Sequence, residues 1–120
     1  MPKNRKIRLI MFTDIIGFSN IMSKDIVVGL DVLEKNSNLH SKLIKKHSGN
    51  LIKKIGDGTL AIFDSVVEAI KCAEDLIDGI NSTKLFKIRV GIHIGELIFK
   101  DNDIFGEGVN ITSRLESLSM

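Results

Sequence analysis

The hydrophobic positions of this chain alternate between two periods. Residues 6–13 form a nearly continuous apolar run that ends at Asp14, the pattern of a buried strand. From about Ser23 to His47 the spacing becomes helical. Leu30, Leu33, Ser37, His40 and Ile44 recur at threes and fours, and Lys42, Lys45 and Lys46 gather near the C-terminal end, where cations suit the helix dipole. Ser48-Gly49-Asn50 ends that helix. Two short strands follow, Leu51–Ile55 and Thr59–Phe63, joined by Gly56-Asp57-Gly58; Asp-Gly between apolar runs predicts a hairpin. A second helix begins at Asp64 or Ser65 as cap, with Glu68 supporting the cap, and places Val66, Ile70, Ala73, Ile77 and Ile80 on one face up to a break at Asn81-Ser82-Thr83.

Beyond the break, Ile88-Arg89-Val90-Gly91-Ile92-His93-Ile94 alternates with period two. One face is packed, and Arg89, Gly91 and His93 lie on the other. Glu96–Lys100 reads as a short further strand before the Asp101-Asn102-Asp103 turn. From Gly106 the pattern becomes helical again, through Val109 and Leu115 to Leu118. The order β-α-β-β-α-β plus a final helix predicts an α+β fold of ferredoxin-like type, a single domain over residues 1–120 with helices on one face of the sheet. A second copy of the chain is the simplest cover for the opposite face.

Composition narrows this picture only slightly. A chain of 120 residues allows one domain, and one of that size hides roughly two-thirds of its unfolded surface. The hydrophobic fraction is 43% with no Trp or Tyr, so the core is aliphatic. A net charge of +2 is too balanced to argue for nucleic-acid or membrane binding, and Pro2-Lys3-Asn4-Arg5-Lys6-Ile7-Arg8 reads as a solvated leader into the first strand. Cys72 is the only cysteine, which excludes an internal disulfide and makes a reducing compartment the default; its small apolar neighbours make it a helix-flank hydrophobe. No apolar run approaches the roughly 20 residues needed to span a bilayer, and no signal peptide is visible, so a cytoplasmic protein is expected.

Two segments carry candidate chemistry: Phe12-Thr13-Asp14-Ile15-Ile16-Gly17-Phe18-Ser19 and Lys53-Lys54-Ile55-Gly56-Asp57-Gly58. Taken singly, Asp14 suits a helix N-cap and Asp57 a hairpin turn. Taken together, two carboxylates at strand ends, each beside a glycine, suit a divalent metal. A helix starting near Ile15–Phe18 would offer the amides of Ile16, Gly17 and Phe18 to a phosphate. Lys53, expected on the same strand face as Leu51 and Ile55, is either an edge charge reaching water or a polar contact inside a cleft. Asp103 is a turn former or a ligand contact. Asn110 and Arg114, at i and i+4 of the expected last helix, share one face, where a guanidinium fork suits a phosphoryl group. A solvent-facing Arg114 is the plainer alternative.

These segments, with Val90-Gly91-Ile92-His93-Ile94-Gly95-Glu96 and Asp103-Ile104-Phe105-Gly106-Glu107-Gly108-Val109-Asn110-Ile111-Thr112-Ser113-Arg114-Leu115, resemble the class III nucleotidyl cyclase catalytic domain. The motifs occur in family order over nearly the whole chain. The resemblance implies that Asp14, the Ile15 carbonyl and Asp57 hold two Mg²⁺ or Mn²⁺ ions per site. It implies that Lys53 and Asp103 select adenine, and that Asn110 and Arg114 orient the ribose and stabilise the pentacoordinate phosphorus. ATP is then the substrate, cyclic AMP and pyrophosphate the products, and a homodimer the working unit, because each site takes residues from both copies. Guanylate cyclase activity, or a non-catalytic dimerisation or regulatory module, is the alternative. The family domain ordinarily continues past the helix of Asn110 and Arg114 with further strands, a helix and a second triphosphate lysine. The chain is therefore expected to be a C-terminally incomplete domain with weak activity or none.

Overall fold

The computed structural model describes residues 5–99, 109–111 and 116–119. The elements are β1 (Arg5–Ile15), α1 (Phe18–Lys24), α2 (Ile26–Lys46), β2 (Asn50–Ile55), β3 (Gly58–Phe63), α3 (Val66–Thr83), β4 (Ile88–Phe99), β5 (Val109–Ile111) and β6 (Glu116–Ser119). The sheet runs β2-β3-β1-β4-β5, with β6 also on β4, and every pairing is antiparallel. The first four strands and the helices α2 and α3 form the expected ferredoxin-like α+β arrangement, with both helices on one face.

Each of the two long helices is started by a side chain. Asp25 accepts hydrogen bonds from the amides of Val27 and Val28 at the start of α2, and Ser65 accepts from Glu68 N at the start of α3. Asp25 also divides what the spacing predicts as one helix from Ser23. Its extended backbone closes α1 and opens α2. Asn81-Ser82-Thr83, expected to break α3, instead completes it, and Lys84 closes it in the left-handed conformation at φ 58°.

The core lies between the sheet and the two long helices. Leu9 and Met11 of β1, Ala61 and Phe63 of β3, and Val90 and Ile92 of β4 pack against Leu43 and Ile44 of α2 and Ala69, Cys72, Ala73 and Leu76 of α3. The inward stripes keep His40 and Ile44 of α2 and Ala73 and Ile80 of α3, but elsewhere are rotated from those the spacing suggests: α2 also buries Gly29, Val32, Asn36 and Leu43, while Leu30 is 54% exposed. In α3, Val66 and Ile70 face outward and Ala69 and Cys72 lie inside. Ala69, Cys72 and Ala73 put small side chains on the inner face of α3, where they pack against the sheet. Burial pushes the Cys72 thiol up to about 12, so it packs as a small hydrophobe.

One buried polar chain crosses this layer. Burial holds the His40 imidazole below its ordinary pKa, and it is neutral. Its Nδ1–H donates to the Asn36 carbonyl at 2.8 Å, which leaves Nε2 to accept from the Thr13 hydroxyl at 2.7 Å. The strand residue beside Asp14 is thus tied to the middle of α2.

A second histidine joins the C-terminal end of α2 to α3. His47, only 7% exposed, places Nδ1 2.9 Å from Glu68 Oε1 and Nε2 2.8 Å from Asp75 Oδ2. The Asp75 hydrogen bond, then that of Glu68, raises the His47 pKa, and His47 in turn lowers that of Asp75. A raised histidine contributes stability below its unfolded pKa near 6.5 and loses it as pH rises through the folded value. The lowered Asp75 contributes above its unfolded value and loses that as pH falls through the folded one. Thermal melts should therefore peak between the two windows and fall as pH rises from 6 to 9. In His47→Gln that alkaline fall should shrink; an identical pH profile in the variant would show that the clamp is energetically idle.

The C-terminal strands replace the expected last helix. Val109–Ile111 pairs with Leu97–Phe99, and Glu116–Ser119 pairs with Gly91–Ile94. β4 runs unbroken from Ile88 to Phe99 instead of forming two strands, so its outer edge offers a long row of backbone donors and acceptors. Val109 and Ile111 are β-branched and flank Asn110 with period two, which suits that edge better than a helix. Among the described helices none is long and apolar enough to cross a membrane.

Candidate functional site

The site lies on the sheet face turned away from α2 and α3, at the corner where β1 ends and β2 turns into β3. Side chains alternate along β1, so Thr13 and Ile15 point into the helix layer while Phe12 and Asp14 belong to the opposite face. Asp14 is directly opposite Arg89 of β4, and Phe12 is opposite both Leu60 and Gly91. The Arg89 fork closes on both carboxylate oxygens, with Nε 2.9 Å from Oδ1 and Nη2 3.0 Å from Oδ2. Asp14, then more weakly Asp57, raises the Arg89 pKa, which places both carboxylates in its field.

Asp57 reaches the same corner from the hairpin. Gly56 takes a left-handed turn at φ 59°, which a side chain would strain, and the turn lets Asp57 fold back over β1. Its Oδ2 accepts the Ile15 amide at 2.8 Å. The two acidic motifs, distant in sequence, are therefore joined by one hydrogen bond immediately beside Asp14.

Lys53 is delivered to this face by an irregularity that the sequence hides. Between Leu51 and Lys53 the β2–β3 register shifts by one residue: Leu51 opposes Ala61, whereas Lys53 opposes Leu60. Leu51 therefore packs in the helix-side core, while Lys53 joins Leu60, Phe12 and Gly91 in one cross-strand row of the site face. The expectation that Leu51 shares a face with Lys53 is corrected by this bulge. Lys54 takes the other side and donates to Ser37 of α2.

Gly17 caps α1 in the left-handed conformation at φ 67°, and no side chain caps that helix. Of the three amides expected to face a phosphate, that of Ile16 already donates to the Lys87 carbonyl at 2.9 Å. Gly17 and Phe18 begin the helix at the same corner as Asp14.

The structure does not unite all the expected residues. Asn110 lies in β5, opposite Ile98, so the i,i+4 helix argument that joined it to Arg114 does not hold. Asp103 and Arg114 fall outside the described residues. Arg89 is the residue that sequence reasoning passed over. Alternation placed it on the correct face, but only the β1–β4 register reveals that it meets Asp14.

The donor set at this corner fits a hard divalent cation. Two carboxylates lie beside a turn, and among the described residues no group of three or more His, Cys, Asp or Glu could form a complete metal cage. Magnesium is commonly held this way, by one or two carboxylates with substrate phosphates supplying further oxygens.

The chain is similar to known proteins in both sequence and fold. The adenylate and guanylate cyclase catalytic domain family matches residues 3–120. A Rhizobium meliloti (strain 1021) protein provisionally named adenylate cyclase 3 is 30% identical over 123 residues, covering 96% of this chain and 21% of the relative. Adenylate cyclase of Streptomyces coelicolor is 28% identical over 110 residues, covering 90% of this chain and 29% of that protein. The chain thus spans less than a third of the length of these relatives. The crystal structure of an adenylate/guanylate cyclase/hydrolase from Silicibacter pomeroyi superposes with a TM-score of 0.66 at 28% identity, covering 87% of this chain and 64% of the other. The motif order, the ferredoxin-like sheet and the match across residues 3–120 lead to one conclusion: this chain belongs to the adenylate and guanylate cyclase catalytic domain family.

Proposed function

We propose that this chain is the catalytic region of an adenylate cyclase, which converts ATP to 3′,5′-cyclic AMP and pyrophosphate in a homodimer. The observation that carries the reading is the Asp57–Ile15 hydrogen bond, which sets the second acidic motif against the first. Asp14 and Asp57, with the Ile15 carbonyl, would hold two Mg²⁺ or Mn²⁺ ions. Those ions, when bound, supply Lewis-acid chemistry that favours the 3′-alkoxide and neutralises the departing pyrophosphate. The 3′-oxygen bonds to the α-phosphorus as the bridging bond to the β-phosphate breaks.

The remaining roles belong to the chain's own side chains and amides. Gly17 and Phe18 would donate main-chain N–H groups to phosphate oxygens, with Ile16 fixing their loop through Lys87. Lys53 would donate to the adenine ring N1, and Asp103 would accept from the exocyclic amine. Asn110 of a second copy would orient the ribose, while its Arg114 stabilises charge on the transferring phosphoryl group. ATP as substrate, rather than GTP, follows from the Lys53–Asp103 pair, since a guanine edge presents the opposite hydrogen-bonding pattern to these groups.

Turnover of ATP and GTP with Mn²⁺ tests this directly. ATP is expected to be used at least about tenfold more efficiently, and Lys53→Glu should cut that preference by about tenfold or more. Faster turnover of GTP by the unaltered chain would reverse the purine assignment. Absence of product from either nucleotide, both in this chain and in a version extended to the family's length, would sink the enzymatic reading and favour a binding module.

A further inference from the structure

Asp14 already has a cation. Arg89 stands directly across the β1–β4 ladder from it and takes both of its oxygens in a bidentate fork, at 2.9 and 3.0 Å. A divalent ion ligated by Asp14 needs at least one of those oxygens. It would also sit close to a guanidinium that stays charged across the working pH range. The pair is partly open to water: the Asp14 side chain is 30% exposed and that of Arg89 71%. Ion pairs of this kind are weak enough to be exchanged, yet a fork of two parallel bonds still fixes the carboxylate rotamer. Both strands are held in continuous register on either side, so the guanidinium starts from a fixed root and only its flexible stem has to move.

We propose that Arg89 is a tethered competitor for divalent metal, which occupies Asp14 in the unloaded site and raises the metal concentration needed to fill it. The inference rests on the reading of Asp14 and Asp57 as metal carboxylates. It predicts a site in which binding of the ion and release of Arg89 are one event.

The test is a Mn²⁺ titration of the 120-residue chain without nucleotide, following the free-ion electron paramagnetic resonance signal. Arg89→Gln should bind Mn²⁺ about three- to tenfold more tightly than the unaltered chain, and Arg89→Lys, which keeps the charge but loses the fork, should fall between. Asp57→Asn should weaken binding in every background. If Mn²⁺ binding is lost in Asp57→Asn but is unchanged or weaker in both Arg89 variants, the competitor role is overturned and the metal reading stands. If none of the proteins binds Mn²⁺, the metal reading fails and takes the inference with it.

Discussion

Replacing Asp57 with asparagine is expected to lower cyclic AMP formation by at least about 100-fold while leaving the melting temperature nearly unchanged. Removal of one preorganised electrostatic contact to a developing charge typically costs a factor of about 10²–10³. A carboxylate that holds a metal sits at the upper end of that range. The asparagine carbonyl can still accept the Ile15 amide that Asp57 Oδ2 accepts at 2.8 Å, so the hairpin remains anchored to β1. Alanine is the less informative change. It removes the acceptor as well as the charge, and the orphaned amide costs roughly 1 kcal/mol or more. Product formation by Asp57→Asn above a tenth of the normal rate, measured with Mn²⁺ and ATP, would show that Asp57 is a turn residue and not a ligand.

Phe63→Ala should destabilise the fold by about 3–5 kcal/mol, a large share of the stability of a domain this size. Phe63 is 1% exposed and lies in the core among residues of β1, α2 and α3. Its ring also fills the space above Gly49, where a Cβ would come within 2.7 Å of Cζ. Gly49→Ala alone should therefore cost about 1–3 kcal/mol by overpacking. With the ring gone, that methyl group gains room, and the double variant Gly49→Ala/Phe63→Ala should be more stable than the sum of the two losses predicts. Denaturant unfolding of the four proteins measures the coupling. Strict additivity would mean that the ring and Gly49 do not share this space.

Much of this fold can be read from residue order alone, because each early element carries its own boundary signal. Ser65 with Glu68, the Gly56-Asp57-Gly58 hairpin and the alternation of Ile88 to Ile94 all act locally, and the elements form where these signals place them. What escaped the reading depends on partners elsewhere in the chain. The bulge at Ile52 turns Lys53 toward the site, yet the β2 sequence contains no glycine or proline to mark it. The spacing of Val109, Leu115 and Leu118 predicts a helix that includes Val109–Ile111. The strand arises because β4 presents a free edge, a property of the folded sheet. Asp14 and Asp57 were legible as candidates, but their closeness depends on Asp57 reaching the Ile15 amide across the β1–β3 pair. Arg89 was assigned a face but no partner, since an antiparallel register cannot be counted from one strand.

The inert thiol of Cys72 gives the protein a practical property. With a pKa near 12 and no exposure, it holds almost no thiolate at neutral pH, the form that reacts with maleimides and disulfide reagents. It is also the only cysteine in the chain. A single cysteine introduced on the exposed surface would therefore be the only reactive handle, and the native residue need not be removed first. Spectroscopic labels can be placed one at a time on this scaffold with its interior left intact.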